Sequence, residues 1–464
     1  MTFKHLTTIC LLLITTAAYG QKGSNPPRYD VRDFGTVGDG SHLETQAFQK
    51  AIDACAAGGG GTVLVPVGRY LTGTIVLKSH VTLYLDTGVV LLGSNNPDDY
   101  PDVADVWADG AKEIAPLIYA ENAENFTITG RGTIDGQGEP WWRPILAAKQ
   151  RRANNATTAP AAAPDPQLRR GRPQLIRFVR SRDVVIEKVN CVNSPSWNIH
   201  PLLCQNVRVD GVTINAPVPS PNTDGINPES CRNVQIVNCR IDVGDDCVTL
   251  KSGKDEAGRK MNTADEDINI TNCVMYRGHG GVTIGSEMSG GVRNVTVSNC
   301  VFHGTDIGIR IKSQRGRGGV VEGLTVSNLV MQDVPHPFTI TSFYTGSDKP
   351  EDVYPVNEGT PRFRNFLLSN ITARGAKDAG SITGLREMPV ENIAFSNVQV
   401  QAERGFTCTN VAGVEFLDVA IDTTQGPALT TRGSRDVNTA RLRTRTPHDG
   451  VPLVQSDNAT AAKD

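Results

Sequence analysis

The residues best suited to do chemistry sit in four short phrases: "NTDG" (222–225), "GDD" (244–246), "GHG" (278–280) and "RIK" (310–312). Alone, each has an ordinary explanation. Asp-Gly and Gly-His-Gly are common turn chemistry, Asp-Asp is usually a solvated surface pair, and Arg-Ile-Lys is an ordinary outward alternation. Their meaning changes when the following strands are aligned on their first inward aliphatic residue. Taking Ile226, Val248, Val282 and Ile309 as equivalent puts Asp224 and Asp246 in one column and Asp245 with His279 in the next. Lys251 falls in a further column with Lys312. On successive layers of a stacked fold, three carboxylates, an imidazole, Arg310 and Lys312 then share one face. Like charges that close disfavour joint ionisation, so an acid and a base are expected to coexist there near neutral pH. Glycoside hydrolysis needs that pair: one carboxylic acid protonates the leaving oxygen, and another carboxylate activates water or attacks the sugar. Arg310 and Lys312 would hold an acidic sugar, the guanidinium by a bidentate grip and the ammonium as a point charge.

Such columns require a repeat, and one runs through most of the chain. "RDVVIEKVNCV" (182–192), "CRNVQIVNCRI" (231–241), "EDINITNCVM" (266–275), "VRNVTVSNCVF" (292–302), "VEGLTVSNLVM" (321–331), "FRNFLLSNITA" (363–373) and "VENIAFSNVQV" (390–400) are variants of one phrase, with a looser copy at 204–214. Each reads as a short strand of period two. The copies recur mostly every 21 to 34 residues or about that, the range for stacked repeats, with no helical pattern between them to suggest βαβ units. The expected fold is all-β: a single-domain right-handed parallel β-helix with a short N-terminal capping helix. A β-propeller, with longer blades and hairpin turns, is the competing architecture. In the β-helix, Asn190, Asn238, Asn272, Asn299, Asn328, Asn370 and Asn397 should form an amide ladder at a turn. Cys191, Cys239, Cys273 and Cys300 should lie beside it as small core residues rather than disulfides. Thr45 to Ala57 is the one convincing amphipathic helix, with Ala47, Ile52 and Cys55 among its apolar positions, ended by the glycines at 58–61 and covering the open end of the stack.

Composition narrows the setting. An apolar run at 9–18 followed by Ala18-Tyr19-Gly20 reads as a signal peptide over residues 1–20, too short to span a bilayer. The protein is expected to be exported, periplasmic or extracellular. Its removal takes Cys10 and leaves nine of the ten cysteines, with no CxxC or zinc spacing. A net charge of −3 gives no reason to expect nucleic acid or a membrane surface as partner. The β-helix domain is placed at 26–445, with an Ala/Pro-rich mobile loop at 150–173 and a disordered tail at 446–464.

With its four motifs in order, and with "GTIDGQGEPWW" (132–142) and "RDFGTVGDG" (32–40) upstream, the chain resembles the polygalacturonases, glycoside hydrolase family 28. The resemblance covers nearly all of the mature chain. It implies hydrolysis of α-1,4-galacturonan with inversion, by a monomer acting on a pectic polysaccharide or oligogalacturonide without metal or other cofactor. By motif, Asp245 resembles the general acid, Asp224 and Asp246 the water-activating pair, and His279 the residue supporting the acid. Arg310 and Lys312 would bind the galacturonate carboxylate. Tyr344, in "SFYTG", and Lys251, through its column with Lys312, are further candidate substrate contacts. "SWNIHP" (196–201) and "GSEMSGG" (285–291) are similar to bacterial exo-acting members; endo action and a rhamnogalacturonan-type hydrolase are the alternatives. His200 could contact substrate or serve a turn. The position four residues before His279 is Met275, so no disulfide is assigned to Cys247. A calcium-dependent pectate lyase and a noncatalytic carbohydrate-binding β-helix are the more distant rivals.

Overall fold

The computed structural model describes residues 27–153, 170–346 and 348–457. Alternating Val and Ile stack inward rung on rung, and every named strand pairing is parallel except the hairpin of Asp102–Ala104 with Lys112–Ile114. The result is the expected right-handed parallel β-helix. A central rung comprises Arg232–Val237, Arg240–Val243 and Val248–Leu250; the next is Asp265–Thr271, Val274–Arg277 and Val282–Ile284, followed by Val292–Ser298, Val301–His303 and Ile307–Lys312. Further on, the strands run through their corners as Arg362–Thr383, Val390–Thr409 and Val411–Arg432. Their core is aromatic: Phe395 stacks on Phe416 at 5.4 Å, and Phe338 and Phe406 pack edgewise on Phe395.

The amide ladder forms from Asn299 onward, whereas Asn238 donates to Asp210 and Asn299 itself to Thr271. Asn328 donates to Asn299 at 3.1 Å, Asn370 to Asn328 at 3.2 Å and Asn397 to Asn370 at 2.9 Å. Six of the seven expected asparagines take φ between 52° and 57°, a left-handed turn that Asn tolerates better than most residues. The exception is Asn190, which begins the strand Asn190–Val192, leaving Lys188 to make the turn at φ 60°. Cys191 accordingly stacks on Ile214, apart from Cys239, Cys273 and Cys300. A two-residue slip keeps every side chain on its own face, so alternation cannot expose it. A second ladder joins Asn233 to Asn206, Asn206 to Asp183, and Asn392 to Asn365. All nine described cysteines are buried and free.

Helix α1 (Thr45–Ala57) covers the first rungs with Phe48, Ala51, Ile52 and Cys55. Its buried face is thus shifted from the expected set, with Ala47 half-buried at its edge. Two further helices, α2 (Glu139–Ala153) and α3 (Asp255–Met261), were not legible: Pro144 interrupts the pattern of the first, and the second is only seven residues long. Helix α2 takes in 150–153, so the Ala/Pro-rich loop is shorter than drawn; its residues 154–169 lie outside the described residues, as does the leader. The domain also runs past the boundary set at 445. Its last rung is Arg435–Asn438, Leu442–Arg443 and Val454–Asp457, the final strand pairing with Leu429–Arg432. Four residues sufficed there because a ready edge was waiting; only 458–464 of the expected tail fall outside the described residues.

Candidate active site

The alignment of the four motifs is realised in the backbone. Ile226 bridges Val248, Val248 pairs with Val282, and Val282 with Ile309. The turns before these residues approach so closely that two glycines are required. A Cβ on Gly225 would stand 2.3 Å from the Cys247 carbonyl oxygen. One on Gly280 would stand 2.8 Å from Asp246 Oδ1, so the second glycine of "GHG" makes room for the carboxylate one rung before it. Thr223 ties the turns together, its hydroxyl donating to the Ser220 carbonyl at 2.8 Å and accepting from Gly244 N at 3.1 Å.

Asp224, Asp245 and Asp246 present carboxylate oxygens that all lie within 4.8 Å of one another. Asp224 and Asp246 are buried and Asp245 is half-buried. The two buried members differ in their partners. Asp246 Oδ1 accepts from Arg310 Nη1 at 3.0 Å and its Oδ2 from Lys312 Nζ at 2.8 Å. These cations stand two rungs away, and they reach across because the intervening rung offers only Thr283 and Gly285 in their columns. Burial would raise the Asp246 pKa, but Lys312 and Arg310 outweigh it and hold the group below the ordinary carboxylate value. Asp224 has only Asn227 Nδ2 at 3.3 Å and Thr249 Oγ1 at 3.5 Å. Burial, then the charge of Asp245, pushes it up to about 7 against the pull of Lys251. Of the two buried carboxyls, Asp224 is thus the one whose charged form its surroundings disfavour. Asp245 accepts from its neighbour Asp246 N at 3.0 Å and from Asn222 Nδ2 at 3.4 Å.

The other expected residues divide. Tyr344 comes to the site, with Lys312 Nζ 4.9 Å and Arg310 Cζ 5.8 Å from its ring centroid. His279 is exposed, and its Nδ1 meets Asp306 Oδ2 at 2.8 Å, while its backbone N–H donates to the Asp245 carbonyl at 3.0 Å. Asp306 extends the column of Asp245 and His279 by one rung and was missed, although "TDIGIRIKS" shows it three residues before the anchor. Lys251 is buried and engaged: its Nζ lies 2.9 Å from Glu287 Oε2 and 4.9 Å from the centre of the Trp197 ring. Burial opposes its charge, yet Glu287 and Asp224 hold it protonated above the ordinary lysine value. His200 is buried between Glu229 and Gln174, each at 2.9 Å.

Beyond the trio, the outward face differs on its two sides. Toward the N-terminus it is covered. The hairpin brings Glu113 onto Arg177, whose side chain is 4% exposed, and sets Val103, Val106 and Trp107 against Tyr119, Val179 and Leu202. Toward the C-terminus, Thr339, Ser381, Thr407 and Thr430 continue the Arg310 column half-exposed, and Ser381, Thr407 and Thr430 line a shallow depression of about 470 Å³. Three carboxylates could in principle hold a divalent cation, but both oxygens of Asp246 already accept from cationic side chains.

A parallel β-helix carrying three clustered carboxylates, one buried against basic side chains and one buried without them, offers the paired acid and base that glycoside hydrolysis uses. The chain belongs to the glycosyl hydrolases family 28, whose model matches residues 55–420, and is a glycoside hydrolase. It is 36% identical over 401 residues to a probable polygalacturonase of Vitis vinifera, covering 82% of this chain and 77% of the relative. Identity to an endo-polygalacturonase of Pectobacterium carotovorum subsp. carotovorum is 30% over 394 residues, covering 80% and 87%. Among solved structures, the hyperthermoactive exopolygalacturonase from Thermotoga maritima superposes with a TM-score of 0.72 at 30% identity, covering 87% of this chain and 94% of that one.

Proposed function

We propose that the enzyme hydrolyses the α-1,4-galacturonosidic bonds of polygalacturonate, releasing galacturonate from a chain end with inversion. The observation that carries this reading is the pair Asp224 and Asp246, the first buried with only Asn227 and Thr249 as partners and the second bonded to both Arg310 and Lys312. Asp224, pushed up to about 7, is the member suited to carry a proton near neutral pH. Asp245, the most exposed member, is the one a glycosidic oxygen can reach. Once substrate displaces water from it, the proton passes to Asp245 and thence to the leaving oxygen, while ionised Asp224 and Asp246 draw a proton from the attacking water. Arg310 and Lys312, beneath Tyr344, then face both Asp246 and the substrate carboxylate. His279, oriented by Asp306, borders the leaving-group side.

Exo action is supported by the covered N-terminal side of the face, which leaves little room for a chain to pass through. Inversion rests on family membership rather than spacing, since oxygens within 4.8 Å are closer than the roughly 6.5–9.5 Å typical of inverting pairs. The leader-like residues 1–20 support action outside the cytoplasm. Product analysis on polygalacturonate tests the reading: galacturonic acid alone is expected from the first turnovers, with the β-anomer appearing first by proton NMR. Mixed oligomers would mean endo action. An ultraviolet-absorbing unsaturated product, lost on adding chelator, would overturn hydrolysis in favour of a lyase.

A further inference from the structure

Arg172, at the end of the Ala/Pro-rich segment, stands beside the trio in a setting unlike that of Arg310 or Lys312. Its Nη1 donates to the Pro195 and Pro221 carbonyls at 2.8 and 2.7 Å, and its Nη2 to Asn222 Oδ1 at 2.8 Å. All three acceptors are uncharged. Among the described residues no carboxylate is paired with it, whereas Arg310 and Lys312 share Asp246, and Lys251, Arg177 and Arg315 each contact a glutamate. Asn222 in turn offers Nδ2 to Asp245, so the guanidinium is one side chain away from the group that must meet the glycosidic oxygen. The three bonds leave the Nε–H and one Nη2–H of a five-donor fork. The residue is half-buried, and Nε is not sealed from solvent. A guanidinium fixed by neutral oxygens, with spare donors and no carboxylate in direct contact, is preorganised for an anion.

We propose that Arg172 is a second substrate-carboxylate site, gripping the acid group of a galacturonate unit on the Asn222–Asp245 side of the trio, while Arg310 and Lys312 serve the Asp246 side. The inference rests on the polygalacturonate reading. With two cationic positions flanking the three aspartates, the two sugars on either side of the scissile bond would each be anchored by charge. The proximity of Asp224 and Asp245 also offsets some of the burial that lowers the Arg172 pKa to about 10, so the guanidinium stays charged throughout the working range.

Binding of trigalacturonate and of its methyl ester to full-length protein, measured by calorimetry in an Asp245→Asn background, separates the possibilities. Arg172→Gln should weaken the acid at least about tenfold and leave the ester within about twofold, and Arg172→Lys should fall between, keeping charge without the fork. Equal affinity for the acid would overturn the proposal, and so would equal losses for acid and ester, which would mark Arg172 as only a scaffold for Asn222. If the glutamine variant fails to fold, the lysine variant decides: a selective loss for the acid of about threefold supports the site, and none refutes it. Failure of the Asp245→Asn parent itself to bind trigalacturonate would remove the polygalacturonate reading and this one together.

Discussion

Two columns of this helix stack side chains of like kind one rung apart, with opposite results. At the outer turn, Asn328 and Asn370 each donate to the asparagine before and accept from the one after, with Asn299 and Asn397 at the two ends of the run. An amide is both donor and acceptor, so the column satisfies itself. At the site, Asp224 stacks against Asp246, and an ionised carboxylate only accepts. That column is completed from outside on one member only, by Arg310 and Lys312, while burial disfavours the charge of the other. The same backbone repeat thus yields an inert seam where the group is self-complementary and a reactive cluster where it is not.

The contrast can be broken most severely at Asp245, the member proposed to meet the substrate. Asp245→Asn should lower kcat by about 10²–10⁴-fold, the usual worth of a general acid, with trigalacturonate binding retained; steady-state kinetics and calorimetry together check this. Next comes the external completion of Asp246. Lys312→Met leaves a buried carboxylate with Arg310 alone, and since stripping a buried charge of its partner costs about 3–5 kcal/mol, a loss near the lower bound is expected in urea unfolding. A subtler test concerns the proton on Asp224. Its folded pKa is raised, so the folded state binds more protons than the unfolded chain between the ordinary carboxylate value and about 7, and stability falls as pH rises through that window. Asp224→Asn should flatten this slope and melt higher than the parent above pH 7, though inactive; a thermal melt series across pH reads both. The smallest effect belongs to the self-complementary seam. Asn328→Asp removes the donor to Asn299 but keeps a residue tolerant of the left-handed turn, and should cost about 1 kcal/mol or less, growing slightly as pH rises.

Much of this site was legible because the anchors Ile226, Val248, Val282 and Ile309 are inward aliphatics, and inward alternation dictates register. What stayed hidden was of three kinds. Arg310 and Lys312 meet Asp246 across two rungs, a contact set by the small residues Thr283 and Gly285 between them rather than by any shared column. Lys251 lay in the right column, but its neutralisation by Glu287 depends on a loop whose path has no periodicity. Arg172 sat in a stretch whose Ala/Pro bias suggested mobility, and its three carbonyl and amide acceptors come from distant turns. The Asn190 and Cys191 misplacement has a different origin: a slip of two residues is invisible to a pattern of period two.

The terminal rungs carry a consequence for the molecule's solubility. A stack of parallel strands is a one-dimensional crystal, each layer a template for the next, and nothing in its repeat tells it to stop. Growth is poisoned at one end by α1, whose apolar face seals the first layer. At the other, strands of four, two and four residues carry Arg435, Asp436, Arg443 and Asp457, too short and too charged to seed another layer.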